Sequence, residues 1–122
     1  MNTNNSAPKV PLSKTRRAGG FLFVSGQLPR TEDGGICDGD IGAQTGQAIA
    51  NLEAVLQSEG LGLADVVKTT VWLTSAEVSG GMNAVYAERF PQPYPTRSTV
   101  VSGLVAKADI EIEAVAYDPR SA

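Results

Sequence analysis

Residues 110–117 read Ile110-Glu111-Ile112-Glu113-Ala114-Val115-Ala116-Tyr117, and their strict alternation decides the fold class. Ile110, Ile112, Ala114 and Ala116 share one side; Glu111, Glu113, Val115 and Tyr117 share the other. A period of two with one wholly apolar side marks a β-strand that covers one face of a core. Val66–Thr74 repeats the pattern, with Val67, Thr69, Val71 and Leu73 expected on one side and Val66, Lys68, Thr70 and Trp72 on the other. Phe21–Gln27, aromatic and β-branched, opens after Gly19-Gly20, stops before Pro29 and reads as a third strand. Pro91, Pro93 and Pro95 force an extended connection into a fourth, Arg97–Ser102.

Between the strands the period becomes helical. Ile41, Ala48, Ile49, Leu52, Val55 and Leu56 follow the i, i+3/i+4, i+7 rule, with Asp38 or Asp40 to cap the start and Gly60 or Gly62 to end the helix. Met82, Val85, Tyr86 and Phe90 form a second stripe, begun by Ser75 or Ser79. Asp65 reads as a loop or strand-start residue. These elements predict an α+β fold, a single mixed sheet with two helices on one face. The face left bare is mixed in character: Glu111 and Glu113 are charged, but Val115, Tyr117 and Trp72 are apolar. An apolar stripe in water is a liability, so a second copy of the chain is expected to cover it.

The chain has 122 residues, 42% hydrophobic and 19% charged, which fits one globular domain, residues 11–122 behind a flexible leader at 1–10. No apolar run approaches the roughly 20 residues of a membrane-spanning helix, and the start, Asn2-Thr3-Asn4-Asn5-Ser6, is polar. A cytoplasmic protein is expected. Ten basic residues face thirteen acidic ones, yet Lys9, Lys14, Arg16, Arg17 and Arg30 all precede the first acid. The remainder is acidic and repels phosphate backbones, so nucleic acid is not the expected partner, and the basic segment reads as a solvated leader before the first strand. With no histidine there is no Ser-His-Asp triad, no Cys-His pair and no imidazole base. Cys37 is the single cysteine, set in a glycine-rich loop, and reads as an incidental thiol.

Carboxylates, arginine, hydroxyls and amides remain for chemistry. Arg97 stands at the start of a strand, where its planar fork suits a bidentate grip on a carboxylate or phosphate. Glu111 and Glu113 share a strand side and offer a general base; Ser25, before Gly26, offers a hydrogen bond, and Asn83 an amide. Each has an ordinary reading too: a surface arginine, the solvated side of a strand, a strand-end hydroxyl, a helix-surface amide.

Their order along the chain is more specific. Ser25-Gly26-Gln27-Leu28-Pro29, Gln44 through Leu56 with Asn51-Leu52, Val67-Lys68-Thr69-Thr70-Val71, Asn83-Ala84-Val85-Tyr86, Tyr94-Pro95-Thr96-Arg97-Ser98 and Ile110-Glu111-Ile112-Glu113-Ala114 together resemble the RidA/YjgF family. Its members are also called L-PSP endoribonucleases, translation inhibitors and reactive-intermediate deaminases. The resemblance spans residues 11–117. It implies a chorismate-mutase-like fold, a homotrimer with sheets turned inward, and sites in clefts between subunits. It further implies cofactor-free and metal-free hydrolysis of enamines and imines such as 2-aminoacrylate, the work of a 2-iminobutanoate/2-iminopropanoate deaminase, giving 2-oxo acids and ammonia.

By the same resemblance Arg97 matches the arginine that holds the substrate carboxylate, and Glu111 the glutamate that positions water. Thr99 supplies backbone groups near the substrate, and Ser25 and Asn83 line the pocket. Two positions depart from the pattern. Leu12, in Pro11-Leu12-Ser13, stands where the family usually has a pocket-lining tyrosine, and Thr99 where it often has cysteine. Carboxylate binding is expected to survive both changes, which leave room for an imine with a bulkier or more apolar side chain. Two other readings stay open: a non-enzymatic trimer that binds small carboxylates, and an endoribonuclease, which the acidic body and absent histidine disfavour.

Overall fold

The computed structural model describes residues 10–121, so the expected leader, 1–10, lies outside the described residues apart from Val10. Five strands and two α-helices follow the order β1 (Thr15–Ala18), β2 (Phe21–Gln27), α1 (Ile41–Ser58), β3 (Val66–Leu73), α2 (Ser79–Arg89), β4 (Thr96–Val101) and β5 (Ile110–Tyr117). They build one sheet in the order β1-β2-β5-β3-β4. Only β3 and β4 run parallel, with α2 as the crossover between them; the other neighbours are antiparallel, so the sheet is mixed.

The alternation of β5 explains its central place. Ile110, Ile112, Ala114 and Ala116 are 0–2% exposed and pack beneath Ala48, Ile49, Leu52 and Leu56 of α1. Met82 and Tyr86 of α2 and Phe90 beyond it complete the same core, joined by Leu22 and Val24 from β2 and Val71 and Leu73 from β3. Both helices therefore lie on one side of the sheet. Asp40 caps α1 by accepting from the Ala43 amide at 3.0 Å, and Gly60, at φ 78°, ends it. Ser75 caps a single 3-10 turn, Ala76–Val78, that feeds into α2.

Two expectations are corrected. Val67 does not share the core side with Thr69 and Val71. Val66 pairs with Ala116 and Lys68 with Val115, so Val67 is an extra residue pushed out of the ladder, and it is the buried Val66 that faces the core. Nor is the basic segment before Phe21 a solvated leader throughout, because Thr15–Ala18 forms edge strand β1. Gly19 and Gly20 both hold positive φ (56° and 88°), the requirement of a two-residue hairpin turn, and Ala18 pairs with Phe21 across it. Arg17 anchors the hairpin: it bonds the Asp118 carboxylate at 3.0 Å and the Glu59 carbonyl at 2.9 Å. Arg120 grips the same Asp118 through Nε and Nη2, and these guanidiniums, Arg120 first, hold that carboxyl well below the usual range.

Candidate functional site

Two hollows carry the polar residues singled out above, one on each side of the sheet. The first, about 400 Å³, lies between α2, the proline-rich connection and β4, and is lined by Asn83, Tyr86, Ala87, Tyr94, Pro95 and Arg97. Arg97 pairs with Thr69, a core-side position, so its side chain emerges on the helix side of the edge strand. Its guanidinium carbon sits 4.7 Å from the centre of the Tyr86 ring, and Nη1 donates to Met82 Sδ at 3.8 Å. Tyr86 is fixed beneath it, sharing a 2.7 Å hydrogen bond with buried Thr69 and stacking on Phe90 at 4.4 Å. Burial pushes the Tyr86 phenol upward, which keeps it neutral beside the cation. No carboxylate among the described residues lies in ion-pair range of Arg97. A stacked, unclaimed guanidinium is a ready receptor for a small carboxylate.

The second hollow, about 250 Å³, opens on the bare side and includes Gly26, Trp72, Leu104, Val105, Glu111 and Glu113. Glu111 lies opposite Trp72 across the β3–β5 ladder. Burial raises its carboxyl above the ordinary 4.5, and the neighbouring Glu113 charge adds to the effect. A half-buried carboxylate of raised basicity can take a proton from water.

Arg97 and Asn83 are thus together, and Glu111 is with Gly26, but the pairing registers put Arg97 and Glu111 on opposite sides of the sheet. Within one chain they cannot touch one small molecule. Ser25 neighbours the second hollow, its Oγ donating to the Ser13 carbonyl and its amide to the Lys14 carbonyl at 3.0 Å. Thr99 is exposed on β4 opposite Val71, the same side as Arg97. Leu12 is 61% exposed and lines neither hollow. Tyr86, Tyr94, Trp72 and Gly26 were not singled out from sequence as site residues. One signal for Tyr86 existed, since a tyrosine in a buried helical stripe needs a partner for its hydroxyl. Among the described residues no group of three or more Cys, Asp and Glu side chains is disposed to hold a metal ion.

These features belong to a small α+β chain with an unpaired guanidinium on one side of its sheet and a half-buried carboxylate on the other. Comparison with known proteins gives the class a name. The model of the endoribonuclease L-PSP family matches residues 3–118, and the chain belongs to that family, also known as RidA/YjgF. It is 44% identical over 116 residues to a RutC family protein of Pyrococcus horikoshii, covering 93% of this chain and 92% of that one. The crystal structure of RidA from an Antarctic Psychrobacter superposes with a TM-score of 0.83 at 31% identity, covering 91% of each chain. That of yeast Mmf1 superposes with a TM-score of 0.85 at 30% identity, covering 91% of this chain and 90% of that one. Mmf1 of Saccharomyces cerevisiae and mmf2 of Schizosaccharomyces pombe are mitochondrial proteins, so the family is not confined to the cytoplasm. No helix among the described residues is long and apolar enough to cross a membrane.

Proposed function

We propose that copies of this chain assemble as a homotrimer in which the Arg97 hollow of one subunit closes over the Glu111 hollow of the next, and that the shared cleft hydrolyses imines of 2-oxo acids. The observation that carries this reading is the unclaimed Arg97 guanidinium on one side of the sheet and the half-buried Glu111 on the other. The bare side supports it as well: Phe21, Phe23 and Val100 are 40%, 47% and 38% exposed there, an apolar stretch that a neighbouring copy would remove from water. A head-to-tail contact of two different patches closes into a ring when its rotation allows.

The chemistry needs little more. Arg97 holds the substrate carboxylate and so fixes the adjacent C=N carbon. Glu111 accepts a proton as water adds to that carbon, forming a C–O bond and moving the C=N electron pair onto nitrogen. The proton returns to nitrogen, giving an amino alcohol; its hydroxyl proton then passes to the amine as C=O forms and the C–N bond breaks, and a 2-oxo acid and ammonia leave. Raised basicity favours the first transfer, and orientation by the guanidinium supplies the rest. Asn83, Ser25 and the backbone at Thr99 line the cleft. Cytoplasmic imines made by amino-acid dehydratases are the matching source of substrate.

An amino-acid dehydratase or oxidase generating imines in situ tests the reading through the rate of 2-oxo acid release. Glu111→Gln is expected to lower kcat by about 10²–10⁴-fold. Arg97→Ala is expected to lower kcat/KM by roughly 30- to 5,000-fold, the equivalent of ~2–5 kcal/mol for a lost carboxylate grip. Wild-type rates in both variants overturn it. One observation favours a second reading: Leu12 is exposed, lines no hollow and carries no hydroxyl, so position 12 adds no polar contact to the phenols of Tyr86 and Tyr94. A trimer that only binds 2-oxo acids would retain them, through Arg97, without accelerating hydrolysis. RNA cleavage that co-purifies with the protein and vanishes in both variants would support nuclease action instead.

A further inference from the structure

The β2–β5 ladder is broken at one place. Val24 pairs with Ala114 and Gln27 with Ile112, so Ser25 and Gly26 together oppose the single residue Glu113. That is a β-bulge, and it turns Gly26 away from the core side that Leu22 and Val24 occupy toward the side that carries Glu111. Gly26 is not among the glycines with positive φ, so any residue could adopt its backbone conformation. What the position demands is space. A Cβ on Gly26 would stand 3.0 Å from the Glu111 carboxyl carbon and 3.2 Å from its Cγ, and would overlap Oε2. The bulge is itself held from outside, by the hydrogen bonds of Ser25 to the Ser13 and Lys14 carbonyls.

We propose that Gly26 is a positioning residue: the bulge presents a backbone without a side chain, and the Glu111 carboxylate is seated against it. The consequence for catalysis rests on the reading of Glu111 as the base. Seating restricts the carboxylate to one direction and shields one of its sides from water, whereas a freely rotating glutamate would spend most of its time aimed elsewhere. A methyl group at residue 26 evicts the carboxylate into the solvent-open part of the hollow while leaving the Arg97 hollow, on the other side of the sheet, untouched.

The test is Gly26→Ala, followed by two independent measurements. Titration of the Glu111 carboxyl by carbon NMR is expected to move down toward 4.5 as the group gains water. Imine hydrolysis is expected to lose about a hundredfold in kcat, the effect of misplacing a reacting group by about 1 Å, with KM little changed. Glu111→Asp, one methylene shorter, is expected to recover part of that loss in the Gly26→Ala background while lowering the rate in the wild-type background. A Glu111 titration that stays where it is in Gly26→Ala overturns the seating. If the titration moves but the wild-type protein hydrolyses no imine, the seating stands and the deaminase reading fails. Should Gly26→Ala not fold, recovery of the fold in Gly26→Ala/Glu111→Ala supports the proposal, and failure to recover overturns it.

Discussion

The two hollows of one subunit are built on different principles. Around Arg97 the fold supplies aromatic walls and a ring beneath the cation, and withholds any acid. Around Glu111 it supplies a second carboxylate and partial burial, and lines the hollow with no cationic side chain. The contrast with Arg17 and Arg120, both claimed by Asp118, shows what withholding achieves. A guanidinium paired within its own chain is an anchor. An unpaired one is left open to an external anion. Placing Arg97 and Glu111 on opposite sides of the sheet prevents an intrachain ion pair that would occupy the cation and hold the carboxyl down, removing both proposed functions at once.

Mixing impaired variants breaks or confirms this division most directly. Arg97→Ala and Glu111→Gln subunits, each impaired alone, are expected to regain activity when unfolded together and reassembled. In a head-to-tail ring each cleft draws Arg97 from one copy and Glu111 from the next. Random mixing of equal amounts then restores about one cleft in four. No recovery in a verified mixed assembly means that the two residues act within one chain or not at all.

A smaller effect sharpens the Arg97 side. Tyr86→Leu removes the ring under the guanidinium, a contact of about 0.5–2 kcal/mol, and is expected to raise KM by roughly 2- to 30-fold with a smaller change in kcat. Tyr86→Phe keeps the ring and is expected to leave KM near the wild-type value, though it strands the buried Thr69 hydroxyl and lowers the melting temperature. Equal KM values for Phe and Leu would remove the ring from the account.

Much of this architecture was legible beforehand. Ile110–Tyr117 and Phe21–Gln27 form strands with the expected bounds, because their patterns match a covered sheet and flanking Gly or Pro ends them. β1 was not legible: Thr15-Arg16-Arg17-Ala18 has no apolar alternation, and its strand exists through backbone pairing and the Gly19-Gly20 turn. The extra residue at Val67 was equally hidden, since a bulge leaves local composition unchanged. For the site, residue types alone gave each candidate an ordinary alternative, and only their order along the chain linked Arg97 to Glu111. That the two lie on opposite sides of the sheet follows from strand registers, which are set by partners up to the far end of the chain. Gly26 carried a local signal, a glycine inside a strand pattern, but its meaning required knowing which side chain lies against it.

The finest distinction concerns Glu113, which belongs to the Glu111 side but touches no part of the proposed reaction. Burial is the larger cause of the raised Glu111 carboxyl and the Glu113 charge the smaller. Glu113→Gln removes only the smaller cause, so Glu111 loses its proton more readily and the acid limb of the pH–rate profile moves to lower pH. Residues two apart on one strand side repel as like charges, and that repulsion is the part of the upward shift the substitution removes. Added salt screens the wild-type pair and is expected to shrink the difference between the two profiles, which a packing change would not do. KM stays constant because the grip on the substrate carboxylate is proposed for Arg97 of the neighbouring subunit and not for Glu113. An acid limb that moves upward, or a KM that rises with it, would mean that Glu113 reaches the substrate itself.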